Sequence, residues 1–171
     1  MPDLERIKRS AFATFLNVGD ATTPSYKRFG KGIEEQDINY NPELETTKYI
    51  DEDNPTNDLV GYAPNFDTTQ KTYKNEPIFE YMYDKMLDRA IGTEAVTDYL
   101  KVFLFDKLAE GIYTAEKCDC TVAISSFKGS EMGYSINENG DPTKGYVTIS
   151  TTASGTTITF TAGQYTPPVG G

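Results

Sequence analysis

The chain has 171 residues, 16 Lys and Arg against 26 Asp and Glu, and a net charge of −10. Histidine is absent, which excludes Ser-His-Asp and Cys-His nucleophilic catalysis and removes the commonest metal ligand. The negative balance argues against a DNA-gripping surface, and no apolar run approaches the length of a membrane span. The length suits one domain able to bury a core without staples.

The charge is unevenly spread. Residues 1–30 carry +2, residues 31–68 carry −8 and residues 69–171 carry −4. Residues 1–10 lack the apolar stretch of a signal peptide, so folding in a cytoplasm is expected. Residues 11–18 (AFATFLNV) predict a strand ended by Gly19-Asp20, and residues 26–29 a second short strand. Residues 33–40 (IEEQDINY) and 43–50 (ELETTKYI) flank Asn41-Pro42 and predict a hairpin with one polar, acidic face. On period 2, Leu44, Thr46, Lys48 and Ile50 oppose Glu43, Glu45, Thr47 and Tyr49.

Residues 51–58 (DEDNPTND) hold acids, Asn and Pro without an apolar residue and predict a loop. Residues 59–73 alternate weakly around Pro64 and predict one or two strands. The one helix predicted runs over residues 77–90, with Asn75 as its cap and Gly92 just past its end. Ile78, Met82 and Met86 recur at i+4 with Phe79 beside them, a stripe that expects core packing.

Residues 99–105 (YLKVFLF) are apolar on both faces except at Lys101 and predict a covered strand. On the next strand Cys118, Cys120, Val122 and Ile124 share a face; two thiols so close predict buried free cysteines. Met132, Tyr134 and Ile136 alternate with small or polar residues, and Asn139-Gly140-Asp141-Pro142 predicts a turn. Residues 146–150 and 156–161 predict the last strands, with Ile158 and Phe160 inward. Residues 163–171 are Pro- and Gly-rich and expect a flexible tail. Eight to ten short strands and one helix predict a mainly β fold, a β-sandwich or partial barrel with one flanking α-helix, as a single domain over residues 1–162.

Carboxylates are the only well-supplied catalytic groups. Adjacent acids such as Glu34 and Glu35 point to opposite faces of a strand, and the chain has no Trp to platform a sugar. Asp51, Asp53 and Asp58 offer calcium oxygens, but the stretch lacks the glycine and terminal Glu of an EF-hand loop. No phosphate-cradling glycine motif occurs. The expectation is therefore no catalytic residue, no metal and no cofactor.

Three stretches in this order carry a resemblance: residues 26–53 (YKRFGKGIEEQDINYNPELETTKYIDED), residues 73–79 (YKNEPIF) leading through the helix to RAIG at 89–92, and residues 137–145 (NENGDPTKG) before the final strands. Together the chain resembles the major tail tube proteins of long-tailed, non-contractile (siphovirus-type) bacteriophages, in particular those of phages and prophages of Gram-positive bacteria. The resemblance implies a structural virion protein that is not an enzyme. It implies hexameric rings whose strands join into one continuous barrel, stacked into a tube for genome ejection. The implied partners are the chain itself, a tape-measure protein inside the growing tube, tail terminator and distal tail proteins at its ends, and genomic DNA passing without specific binding. No membrane binding is implied, and assembly would take place in the bacterial host cytoplasm.

On that reading Glu35, Asp37, Glu43 and Glu45 line the lumen. The region of residues 51–66, with Asp51, Glu52, Asp53, Asn54 and Asp58, and the N-terminal Leu4, Arg6, Ile7 and Arg9 contact the next ring. The tube of a contractile tail, tailocin or secretion system, and a carbohydrate-binding or adhesion β-sandwich, are the alternatives.

Overall fold

The computed structural model describes residues 2–170. Nine strands and one α-helix follow in the order β1 (Phe12–Asn17), β2 (Tyr26–Arg28), β3 (Pro42–Thr47), β4 (Thr56–Tyr62), β5 (Asn65–Lys71), α1 (Pro77–Asp88), β6 (Val96–Ala109), β7 (Ile112–Phe127), β8 (Glu131–Thr152) and β9 (Gly155–Ala162). The fold is mainly β, as the sequence predicts. Three of its strands are much longer than expected.

Seven strands form one antiparallel sheet in the order β2-β1-β6-β7-β8-β5, with β9 also on β8. β8 serves two partners along one edge: residues 131–137 pair with β5, and residues 145–152 pair with β9. The switch falls at the Asn139-Gly140-Asp141-Pro142 stretch, which is not the turn predicted from its residues. The strand runs through it, and Gly140 at φ +67 absorbs a bulge where Asn139 pairs with Asp119 but Thr143 already pairs with Lys117. Residues that accept positive φ can either reverse a chain or kink it, and the flanking pairing decides which.

Each face of the sheet carries a buried core because its strands alternate two apolar sets. On one face Leu16, Phe66, Tyr99, Cys118, Cys120, Met132, Tyr134 and Ile136 form the larger core, closed by Ile78 and Met82 of α1. On the other, Ala13, Phe15, Leu100, Val102, Ala115 and Val147 form a second core. Tyr26 of β2 and Ile158 and Phe160 of β9 pack on that second core from opposite ends of the sheet. The sheet therefore curls into a partial barrel. Its β2 and β9 sides approach without joining, and Tyr26, Arg28, Thr156 and Ile158 line the cavity between them.

Helix α1 forms where Pro77 supplies a fixed φ at the first position. Glu76, not Asn75, is its cap: the Glu76 carboxylate accepts from the Phe79 backbone N–H at 2.6 Å. Asn75 instead sits at φ 69 and gives its N–H to Glu80. Arg89 ends the helix in the left-handed region (φ 51, ψ 44), three residues before the expected Gly92. Ile78 and Met82 are fully buried, and Phe79 and Met86 pack partly buried against the same core.

The hairpin departs furthest from the sequence expectation. Residues 33–40 form no strand; they cross over the larger core, and their backbone pairs with β5 through single bridges at Ile33–Gln70 and Asn39–Asn65. Their polar pattern fits a covering segment as well as a strand edge. The true hairpin pairs β3 with β4 as a separate two-stranded sheet. Residues 51–66 are accordingly not one acidic loop: only 51–55 lie in the connection, while Asp58 stands on β4 and residues 65–66 begin β5.

Candidate assembly surfaces

The β3–β4 hairpin is the most unusual surface of the chain. Nearly every residue on it is exposed, including Leu44, Leu59, Val60 and Tyr62. Cross-strand pairing sorts its faces. Leu44 stands opposite Leu59 and Thr46 opposite Asn57, the latter pair hydrogen-bonded at 2.7 Å. The other face carries Glu45 directly opposite Asp58 and Thr47 opposite Thr56. Like charges so placed repel, and a two-stranded ribbon is marginal in water on its own.

The root of the hairpin is firmly held. Asn41, at φ 45, donates from its amide to the Ala63 carbonyl at 2.9 Å and to Asn65 Oδ1 at 2.8 Å. The Ala63 N–H returns a bond to the Tyr40 carbonyl, and the Glu138 N–H donates to the Pro64 carbonyl at 3.0 Å. The rings of Tyr40 and Tyr62 meet edge to face, with centroids 6.3 Å apart.

Beneath this root lies a polar group that inspection of the sequence missed. Lys101, expected as the one polar intruder on a covered strand, is itself buried. Its ammonium contacts Glu138 Oε1 at 2.5 Å and lies 4.8 Å from the centre of the Tyr40 ring. Tyr99 donates its hydroxyl to the same carboxylate at 2.6 Å. Burial works to raise the Glu138 pKa, but the bonds from Lys101 and Tyr99 outweigh it and hold the carboxyl below its usual range. Burial likewise opposes the Lys101 charge, and the Glu138 bond overrides it to raise that pKa. An apolar-flanked Lys at a core period with no polar neighbour in sequence was the available signal; its partner lies 37 residues downstream.

The expected site residues fall into separate places. Glu35 and Asp37 are exposed on the segment crossing the larger core, where the Glu35 carbonyl accepts from Thr68. Glu43 and Glu45 stand on β3, so these four acids do not share one hairpin as the sequence implied. Glu45 is instead brought together with Asp58, a residue expected at a different contact. Asp51, Asp53 and Asn54 lie exposed around the hairpin apex, where the Glu52 N–H donates to the Tyr49 carbonyl at 3.1 Å. Leu4, Arg6, Ile7 and Arg9 are exposed on the N-terminal arm, with Ile7 beside Phe105 of β6. Among the described residues no cluster of three or more Cys, Asp or Glu is placed to hold a metal. Cys118 and Cys120 are free and buried, and burial pushes both thiols up, away from reactivity.

Three free edges complete the surface. Among the described residues, the outer sides of β2 and β9 carry no strand neighbour. On β7, pairing with β6 stops at Thr121, so residues 122–127 have a strand neighbour only on the β8 side.

No protein-family model matches the chain, and no curated protein matches its sequence. Among solved structures, the chain is similar to one in the tail of an empty GTA particle computed with C6 symmetry. That similarity has 12% identity over 81% of this chain and 98% of the other, with a TM-score of 0.49. It is also similar to a chain in the six-fold symmetrised baseplate of the anti-feeding prophage, at 8% identity over 83% and 94%, with a TM-score of 0.42.

Proposed function

We propose that this chain is a structural virion protein of the tail tube type, polymerising as stacked hexameric rings into a conduit for a phage genome. The observation that carries the reading is the β3–β4 hairpin, which exposes Leu44, Leu59, Val60 and Tyr62 in an arm the chain itself does not cover. Exposed strands with apolar side chains invite association unless a partner is meant to take them. The unjoined β2 and β9 sides supply a second joint: β2 of one subunit meets β9 of the next, and partial barrels continue into a ring without free edges.

In this reading the tube is of the non-contractile, siphovirus type, from the Gram-positive phage and prophage branch that the sequence resembles. A tape-measure protein fills it during assembly in the host cytoplasm, and terminator and distal tail proteins close its ends. Glu35, Asp37, Glu43 and Glu45 face the lumen. Carboxylates there repel DNA phosphates, so the genome slides without the counterion release that drives gripping. The hairpin apex and the N-terminal arm reach the next ring.

The test is size-exclusion chromatography of the purified chain over a concentration series, followed by negative-stain microscopy. Six-fold rings or hollow tubes are expected. A monomer at every concentration, unchanged by added tail-tip proteins, would overturn the reading. Reversal of the four lumen acids to Lys is expected to leave tubes intact and slow DNA ejection; unchanged ejection kinetics would remove repulsion as the mechanism.

A further inference from the structure

We infer that the apex of the β3–β4 hairpin docks into a groove between the C-terminal end of α1 and the free edge of β7 on a second copy of the chain. The inference rests on the self-assembling reading above and names the surface that receives the arm.

The groove has a floor, a wall and a rim. Its floor is β7 from Val122 to Phe127, the stretch beyond the end of β6 whose outer edge has no strand neighbour. Its wall is Met86 and Ala90 with Ile91, which is largely exposed just after the helix. Its rim is cationic. Among the described residues neither Lys85 nor Arg89 forms an ion pair; they spend their donors on the backbone carbonyls of Glu94 and Met86. The negative end of the helix dipole lies there; Lys85 is half-buried over the Tyr81 ring, while Arg89 is exposed with no carboxylate within ion-pair distance.

The hairpin apex has the complementary order of groups. Tyr49 and Ile50 are exposed at its tip, Ile50 completely, and Asp51, Glu52 and Asp53 follow at once. An apolar pair suits the floor and wall, and three successive acids suit the rim. Within one chain the groove stands open and Ile50 stands fully exposed, so a chain does not fill its own groove. The contact is head to tail: arm and groove are different surfaces, so each subunit offers one and accepts one. Such an interface propagates from copy to copy.

The experiment is disulfide trapping in the full chain. Ile50→Cys is combined with Ile91→Cys, both at exposed positions. The native Cys118 and Cys120 are buried, which keeps the background low. A second pair, Ile50→Cys with Leu87→Cys, places the thiol on α1 outside the groove. Thermal melts of the reduced variants check folding. On mild oxidation of the assembled protein, covalent ladders are expected for the 50–91 pair and not for the 50–87 pair. Assembled particles without 50–91 ladders would overturn the docking while the tube reading stands. A wild-type chain that never assembles would overturn both. Asp51→Lys with Asp53→Lys is expected to raise the assembly midpoint concentration about tenfold, an effect that 0.5 M salt diminishes; an unchanged midpoint would overturn the charge match.

Discussion

Two antiparallel hairpins in this chain meet opposite fates. β7–β8 pairs along almost its whole length and carries buried residues on both its faces, with Cys118, Cys120, Tyr134 and Ile136 on one side and Ala115 and Val147 on the other. β3–β4 pairs just as regularly and buries neither face. The hydrogen-bond ladder alone does not make a strand part of a core. What differs is the density of apolar residues at period 2, and whether other strands or a helix lie across them. β7–β8 is built to be stable within one subunit. The arm is built to be stable within an assembly, and the polar clamp at its root holds it in place at the boundary between the two.

That clamp gives the largest effect with which to break the comparison. Glu138→Gln leaves Lys101 charged and buried without its partner, and a loss of about 3–5 kcal/mol is expected in urea unfolding of the free subunit. Replacing both, as Lys101→Met with Glu138→Leu, is expected to recover most of that stability. If the single variant melts like wild type, the pair does not anchor the root. Because the Glu138 pKa lies below its unfolded value, its contribution is present above the unfolded carboxylate range. It is lost as pH falls through the lower folded value. A pH titration of stability should therefore show an acid loss that Glu138→Gln largely removes.

Met82→Ala tests the body. It removes a fully buried side chain from the larger core and is expected to cost about 2–5 kcal/mol by thermal or urea melt. Gly140→Ala tests the bulge where β8 changes partners. At φ +67 a Cβ strains the backbone, and a loss of about 1–2 kcal/mol is expected. The smallest effect is predicted for the arm. Leu44→Ser with Leu59→Ser should change the stability of the free subunit by less than about 0.5 kcal/mol per site while abolishing assembly. A large loss of subunit stability would show that the arm packs on the body after all.

The legibility of the sequence follows the same division. Where a strand or helix faces a core, its period is written in its own residues: Ile78 and Met82 on α1, Met132, Tyr134 and Ile136 on β8, and Cys118 and Cys120 on β7 all stand buried where alternation or helical spacing puts them. Even on β3 the two faces separate as period 2 requires, with Leu44 and Thr46 against Glu45 and Thr47. Partner choice was not legible there. With no core to select a register, nothing in β3 marks residues 56–62 rather than the expected residues 33–40 as its mate, and Asn57 and Asp58 of β4 fall in a stretch that reads as a loop. The Lys101–Glu138 pair was hidden for another reason: a buried ion pair joins residues far apart in sequence, and neither shows in its local pattern which partner it has. The receiving groove likewise exists only once β6 stops short of β7.

The most direct measurement is amide hydrogen exchange over residues 42–62 in the free subunit and in assembled particles, with residues 131–137 as the internal reference. The hairpin is expected to exchange fast in the free subunit and to be strongly protected after assembly, with the reference highly protected in both. Equal protection of the hairpin before and after assembly would contradict the claim that this arm is made for a neighbouring subunit.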